Sequence, residues 1–267
     1  RATYLYAAMA DIAALKQKNS YTEALHRIWA DITDTRMHIT GGLGAVHGIE
    51  GFGPQYLLPN ADAFNDTCAA VGNVLFNYRM FLVHQDAKYL DVAEVSLLNN
   101  VLAAVNLEGN RFFYVNPLEA DGKYPFNHGT AGRAPWFGTA CCPSNMARLL
   151  PQVQGMTYAH NEKNLYLAMY ADTSTSLKIA GTDLAINQTT DYPNDGKIKI
   201  SLNPKNPSSF KGHLRIPTWA VNQFVPGKLY KYLNQKKESW SLTVNGSKTQ
   251  AKVEKGFAIL QRKWKKG

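Results

Sequence analysis

Residues 156–170 read MTYAHNEKNLYLAMY, and the periodicity of the chain changes across them. Leu165-Tyr166-Leu167-Ala168-Met169-Tyr170 has the composition of a strand. Beyond it the alternation continues in Leu177-Lys178-Ile179 and, most strictly, in Lys197-Ile198-Lys199-Ile200-Ser201-Leu202. His213-Leu214-Arg215-Ile216-Pro217, Ser241-Leu242-Thr243-Val244 and Phe257-Ala258-Ile259-Leu260 follow, with Asn245-Gly246 as a turn. Short alternating runs separated by Pro, Gly and Asn predict an antiparallel β-sandwich. Upstream the spacing is helical. Residues 2–17 are rich in Ala and Leu. Asn19-Ser20 breaks the pattern, and Ser20 with Glu23 three residues on predicts a capped helix over 21–35. Residues 66–84 carry Cys68, Val71, Leu75, Tyr78, Met80 and Leu82, and predict a buried helix capped by Asn65 or Asp66. Residues 87–106 predict another. Two long loops, 40–64 and 115–142, lie between these helices, and loops of that length in a compact domain are commonly functional. The expected fold class is therefore multidomain α plus β: a helical bundle or toroid over 1–152, then the sandwich over 153–267.

Charge divides the chain at the same place. Residues 1–152 hold 11 Lys+Arg against 13 Asp+Glu, whereas 153–267 hold 18 against 7, which accounts for the overall +9. All three cysteines fall in the first part. A net positive charge invites a nucleic-acid or membrane partner. Strand lysines facing solvent and guarding sheet edges explain it more simply, and no nucleic-acid-binding motif spacing is present. At 45% apolar residues the chain is not disordered. No run of about 18 apolar residues exists, so no spanning helix is expected. Three Cys do not make a disulfide scaffold. The stretch after Arg1 has no cationic segment leading into an apolar one, so it is not a signal peptide and reads as the middle of a helix in a longer protein. Compartment and oligomeric state are not legible. Reactive thiolates suit a reducing cytosol, and metal protection would permit a periplasm.

Cys141 and Cys142 are adjacent and followed by Pro143. Adjacent cysteines rarely bond each other, but they reach one metal if the backbone turns sharply. Asp66-Thr67-Cys68 adds a carboxylate and a third thiol. Three soft ligands and one hard ligand suit Zn²⁺ better than Ca²⁺ or Mg²⁺. The spacing is that of no common structural zinc motif, and three buried structural cysteines remain the plainer alternative. Glu50 lies in a glycine-rich loop near Phe52 and Tyr56, without a neighbouring cation. Such a carboxyl would have a raised pKa and suit a general acid; an exposed loop glutamate is the plainer reading. Phe112-Phe113-Tyr114-Val115-Asn116, Arg133, Trp136 and Phe137 offer aromatic faces with polar groups, as a sugar requires. His38, His47 and His128 carry no assignment.

Taken in order, Thr40-Gly41-Gly42-Leu43-Gly44, Glu50-Gly51-Phe52-Gly53, Leu58-Pro59-Asn60, Asp66-Thr67-Cys68-Ala69-Ala70, Phe113-Tyr114-Val115-Asn116-Pro117-Leu118 and Cys141-Cys142-Pro143-Ser144-Asn145 resemble the β-L-arabinofuranosidase family of glycoside hydrolases (families 127 and 146). Asp191-Tyr192-Pro193, Leu214-Arg215-Ile216-Pro217 and Val244-Asn245-Gly246 extend the resemblance over nearly the whole chain. It implies the C-terminal part of an (α/α)6 catalytic barrel over 1–152 and a β-sandwich over 153–267. It implies a zinc-dependent retaining exo-glycosidase acting on a β-L-arabinofuranoside or a related plant cell-wall sugar. Carried over position by position, Cys141 matches the nucleophile, Glu50 the acid/base, and Asp66, Cys68, Cys141 and Cys142 the zinc ligands. Tyr114 matches a sugar-contacting tyrosine. One position departs: the family has Glu where this chain has Asp66, one methylene shorter. Two rivals remain open, a glycosidase of another pectic sugar and a carbohydrate-binding scaffold whose zinc is only structural. The implied partner is a carbohydrate rather than nucleic acid or membrane.

Overall fold

The computed structural model describes residues 2–234 and 239–266. Helices and sheets segregate along the chain, giving a mixed α and β architecture of two compact units. The first runs to Gln152 and also takes in the segment that begins at Asn222. The second comprises Val153–Val221 and the C-terminal strands.

In the first unit α1 spans Ala2–Lys16 and α2 spans Asn19–Thr35. The Ser20–Glu23 capping box does not form: the N-cap is Lys18, with no side-chain cap. Gln17 adopts φ +51° and Lys18 N–H reaches back to the Ala13 carbonyl. That tight turn starts α2 early and leaves Ser20 inside its first turn. The central helix, α3, spans Thr67–His84 and is buried on nearly every side. Asp66 caps it, accepting from Cys68 N–H at 2.9 Å. Trp29 of α2 donates to the buried Asn77 of α3 at 2.7 Å. α4 (Ala87–Ser96) does not run on to 106 as expected. It opens into a π-helical turn over Leu97–Val101 and a short tight turn over Leu102–Ala104. π-turns of this kind cluster near functional sites, and here the freed Asn100 carbonyl accepts from Asn116 Nδ2 at 3.3 Å. α5 (Cys141–Val153) closes the unit. The returning segment is tied in by Tyr230, whose hydroxyl donates to the Met37 carbonyl at 2.8 Å.

The long loops cross at the start of α3. Asn65 and Asp66 N–H donate to the Gly44 and Leu43 carbonyls, and Thr67 N–H donates to the Tyr114 carbonyl. Gly42 sits where no side chain fits. A Cβ there would stand 1.9 Å from Asn65 Oδ1 and 2.3 Å from Asn100 Nδ2, and both asparagines are fully buried. We expect Gly42→Ala to lower stability by about 3 kcal/mol. Urea unfolding checks this, and an unchanged midpoint would show that the two amides yield freely.

In the second unit the strands are β1 (Tyr158–His160), β2 (Asn164–Leu167), β3 (Thr173–Ile179), β4 (Thr182–Thr190), β5 (Ile198–Pro204), β6 (Ser208–Arg215), β7 (Thr243–Val244), β8 (Ser247–Lys248), β9 (Lys252–Glu254) and β10 (Phe257–Trp264). One sheet has the order β1-β2-β6-β10-β9, and another has β3-β4-β5. A correction applies to the expected antiparallel arrangement: β2 and β6 pair in parallel. The strand predicted over 165–170 ends at Leu167. The two larger sheets share one apolar cluster, with Leu165, Leu184, Ile186 and Phe210 at its centre. Alternation is clearest in β4, where Leu184 and Ile186 turn inward and Asp183 and Ala185 outward. Every described lysine from Lys163 to Lys211 is exposed, whereas Arg215 of β6 is buried.

Candidate active site and metal centre

The three thiols come together. Cys68, Cys141 and Cys142 place their sulfurs within 4.8 Å of one another. The chain achieves this with two helix starts. Cys68 sits in the first turn of α3, and Cys141 and Cys142 open α5. Pro143 is accommodated in that first turn because amides there have no helical acceptor. Cys68 and Cys142 sulfurs are 3.1 Å apart without a disulfide. Asp66 lies beside them, its Oδ1 accepting from Cys142 Sγ at 3.1 Å while it also caps α3. It does not belong to the tight three-sulfur group.

A second line of contacts leads outward from Cys141. Its thiol donates to Tyr114 Oη at 3.1 Å, and Tyr114 Oη donates to Glu50 Oε1 at 3.1 Å. One phenol oxygen therefore touches both the thiol and the carboxylate. Cys68 and Cys142 are buried, whereas Cys141 and Glu50 are half-buried. Glu50 adopts φ +48°, a strained backbone for a residue with a Cβ. The ring of Tyr114 stands edge-on to Phe64, Phe137 and His128. Trp136 is exposed and stands edge-on to Phe112.

Burial pushes the thiols of Cys141 and Cys142 up, and the carboxyl of Asp66 with them. Cys68 moves the other way, chiefly through its hydrogen bond with Cys142. The Tyr114 phenol is also held protonated, first by burial and then by its bond with Cys141. Such a cluster resists carrying its own negative charge. A bound divalent cation reverses that preference, and three converging soft donors with a carboxylate alongside fit zinc. The residues present therefore suit the metal that the sequence suggests.

Several side chains here have no assignment from the sequence. Asn127, fully buried, accepts from the N–H groups of Tyr114 and Val115 and donates to the carbonyls of Phe112 and Gly132. It fixes the strand-like segment that carries Tyr114, and nothing in its spacing marks it. Asn145 donates to Cys68 Sγ at 3.3 Å. Its signal was present: it stands four residues after Cys141, hence on the same helix face. His128 packs its ring 4.4 Å from that of Tyr114. His47 approaches Asp62 at 3.7 Å and lies edge-on to Phe64. His38 is buried, which pulls its pKa down to about 4; it is a neutral core residue.

A family model described as the GH127 β-L-arabinofuranosidase catalytic domain matches residues 1–155, and its companion, the GH127 middle domain, matches 164–267. A non-reducing end β-L-arabinofuranosidase of Bifidobacterium longum subsp. longum is 30% identical over 97% of this chain and 38% of its own length. A solved GH127 β-arabinofuranosidase superposes with a TM-score of 0.94 at 42% identity, covering 100% of this chain and 41% of that one. A GH127 β-L-arabinofuranosidase from Geobacillus stearothermophilus T6 gives 0.89 at 33% identity, covering 100% and 40%. The chain thus spans about two fifths of the length of these relatives.

Proposed function

Because the chain belongs to the GH127 β-L-arabinofuranosidase family, we propose that it forms part of a zinc-dependent retaining exo-glycosidase that releases β-L-arabinofuranosyl groups from plant-type glycans. On this reading residues 1–152 are the C-terminal part of an (α/α)6 barrel, and the strand unit is a β-sandwich. The observation that carries the proposal is the shared phenol. Glu50 Oε1 and Cys141 Sγ each lie 3.1 Å from Tyr114 Oη. They are therefore no more than about 6 Å apart, below the spacing that inverting glycosidases need to admit a water.

Cys141 is the nucleophile and Glu50 the acid/base. The hydrogen bonds run from thiol to phenol to carboxylate. A proton passed along them leaves Cys141 as a thiolate and Glu50 protonated, the pair of states the first step needs. Cys141 Sγ then attacks the anomeric carbon while Glu50 gives its proton to the leaving oxygen. Water, deprotonated by Glu50, next displaces the sulfur and restores both groups. Two inversions return the original anomer. Asp66, Cys68, Cys141 and Cys142 would hold the zinc. When bound, it favours thiolate over thiol. Asp66 is shorter than the family's glutamate, and its tie to Cys68 N–H places it at the rim of the sulfur group. Tyr114 orients the sugar as well as linking the two reacting groups.

Hydrolysis of an aryl β-L-arabinofuranoside by the full chain, with about one zinc per molecule, is the test. Activity on another pectic glycoside alone would move the substrate. Zinc and sugar bound without turnover would favour the scaffold reading. Tyr114→Phe keeps the ring and removes the link; we expect kcat to fall about 100-fold with zinc content unchanged. Wild-type kcat in that variant would remove Tyr114 from the chemistry.

A further inference from the structure

One buried group near the thiols takes no part in the mechanism. Tyr4, in α1, has a fully enclosed hydroxyl that meets no hydrogen-bond partner among the described residues. A buried hydroxyl left unpaired is destabilising, so each one calls for an explanation. α1 packs along α3, and Thr3 Oγ1 contacts the Ala69 carbonyl at 3.5 Å. A Cβ at Gly72 would lie 3.0 Å from Cε2 of the Tyr4 ring. The ring therefore rests on α3 where glycine makes room for it. Gly72 follows Cys68 by four residues, so the two share a face one helical turn apart. Electrostatics agree with that placement. Burial does most to keep the phenol protonated, and charge on Cys68 does the next most, ahead of Asp66, Cys142 and Cys141.

We propose that Tyr4 is a positioning residue of the metal site, donating its Oη–H to the Cys68 sulfur when that sulfur is a metal-bound thiolate. The inference rests on the zinc reading of the site and deepens it. Asn145 Nδ2, 3.3 Å from Cys68 Sγ, is the other donor. Two donors from different helices would fix the direction of the Cys68 lone pairs. Outer-shell partners of this kind typically alter metal affinity 10–100-fold.

The test compares the full wild-type chain with Tyr4→Phe, which keeps the ring and removes the donor. Zinc affinity is read by competition with a chelator. The cobalt-substituted protein is read by its thiolate-to-cobalt charge-transfer band. We expect about tenfold or greater loss of zinc affinity and a shifted band, with the unfolding midpoint of the metal-free chain unchanged or raised. Tyr4→Leu removes the same donor and should weaken zinc in the same direction. Wild-type affinity and an unmoved band in both variants would overturn the proposal while leaving the zinc reading intact. A lowered metal-free midpoint with an unmoved band would also overturn it, by assigning Tyr4 to packing. Failure of the wild type itself to take up zinc or cobalt would overturn both.

Discussion

Cys141→Ser should abolish turnover, with kcat lower by about 10⁴-fold or more, while the variant still folds. Serine occupies nearly the same volume, and Cys141 is only half-buried at the mouth of α5. The loss is chemical. A thiol reaches its anion near neutral pH when a cation or a base assists it, whereas a serine hydroxyl does not. The variant should also reveal which role dominates. If Cys141 served only to hold metal, activity would track zinc content, and saturating zinc would restore it. As a nucleophile, Cys141→Ser stays inactive even when loaded. Wild-type protein quenched during slow turnover should carry one pentosyl group on the peptide containing Cys141 and Cys142. Activity within tenfold of wild type would exclude the assigned nucleophile.

Glu50→Gln should lower kcat/KM by about 10²–10⁴-fold, and the size of the loss should depend on the leaving group. A phenol that departs without protonation needs no acid, so a dinitrophenyl glycoside should lose least in its first step. The second step would then limit, since no base remains to activate water. Azide, which needs no deprotonation, should rescue it and give an arabinosyl azide of retained configuration. An equal loss for good and poor leaving groups, with no response to azide, would assign Glu50 a binding role. Glu50 and Cys141 each bond to Tyr114 Oη, so the amide alters the far end of that line and leaves the thiols in place.

How much of this was legible beforehand varied with the physics involved. α3 is plain because its apolar residues and a cap at Asn65 or Asp66 are local signals, and the structure keeps the helix and takes Asp66 as the cap. The start of α2 is not legible because a capping pattern competes with the turn before it. Gln17 and Lys18 decided the boundary through a backbone bond to Ala13, which no side-chain pattern reports. The break after Ser96 was hidden because the apolar spacing of 87–106 runs on across the π-turn. In the site, residues with unusual chemistry at unusual spacing stood out: two adjacent cysteines, Asp66-x-Cys68, and Glu50 among glycines. Asn127 and Tyr4 did not. Their roles depend on long-range placement, Asn127 gathering four backbone groups and Tyr4 lying against a glycine on another helix.

The position of the cysteine pair at the first turn of α5 has one more consequence. Consecutive side chains on a helix diverge by about 100°. Two neighbours in sequence are thus sent to different surroundings: Cys142 into the interior beside Asp66, Cys141 toward the phenol and the open side. On the proposed mechanism, the spiral of the backbone leaves Cys142 to hold metal alone and turns Cys141, a ligand as well, toward the sugar. On that reading, inserting one alanine between two residues joined by a single peptide bond would carry Cys141 away from Tyr114 and from the other sulfurs together, while Cys142 stays beside Asp66.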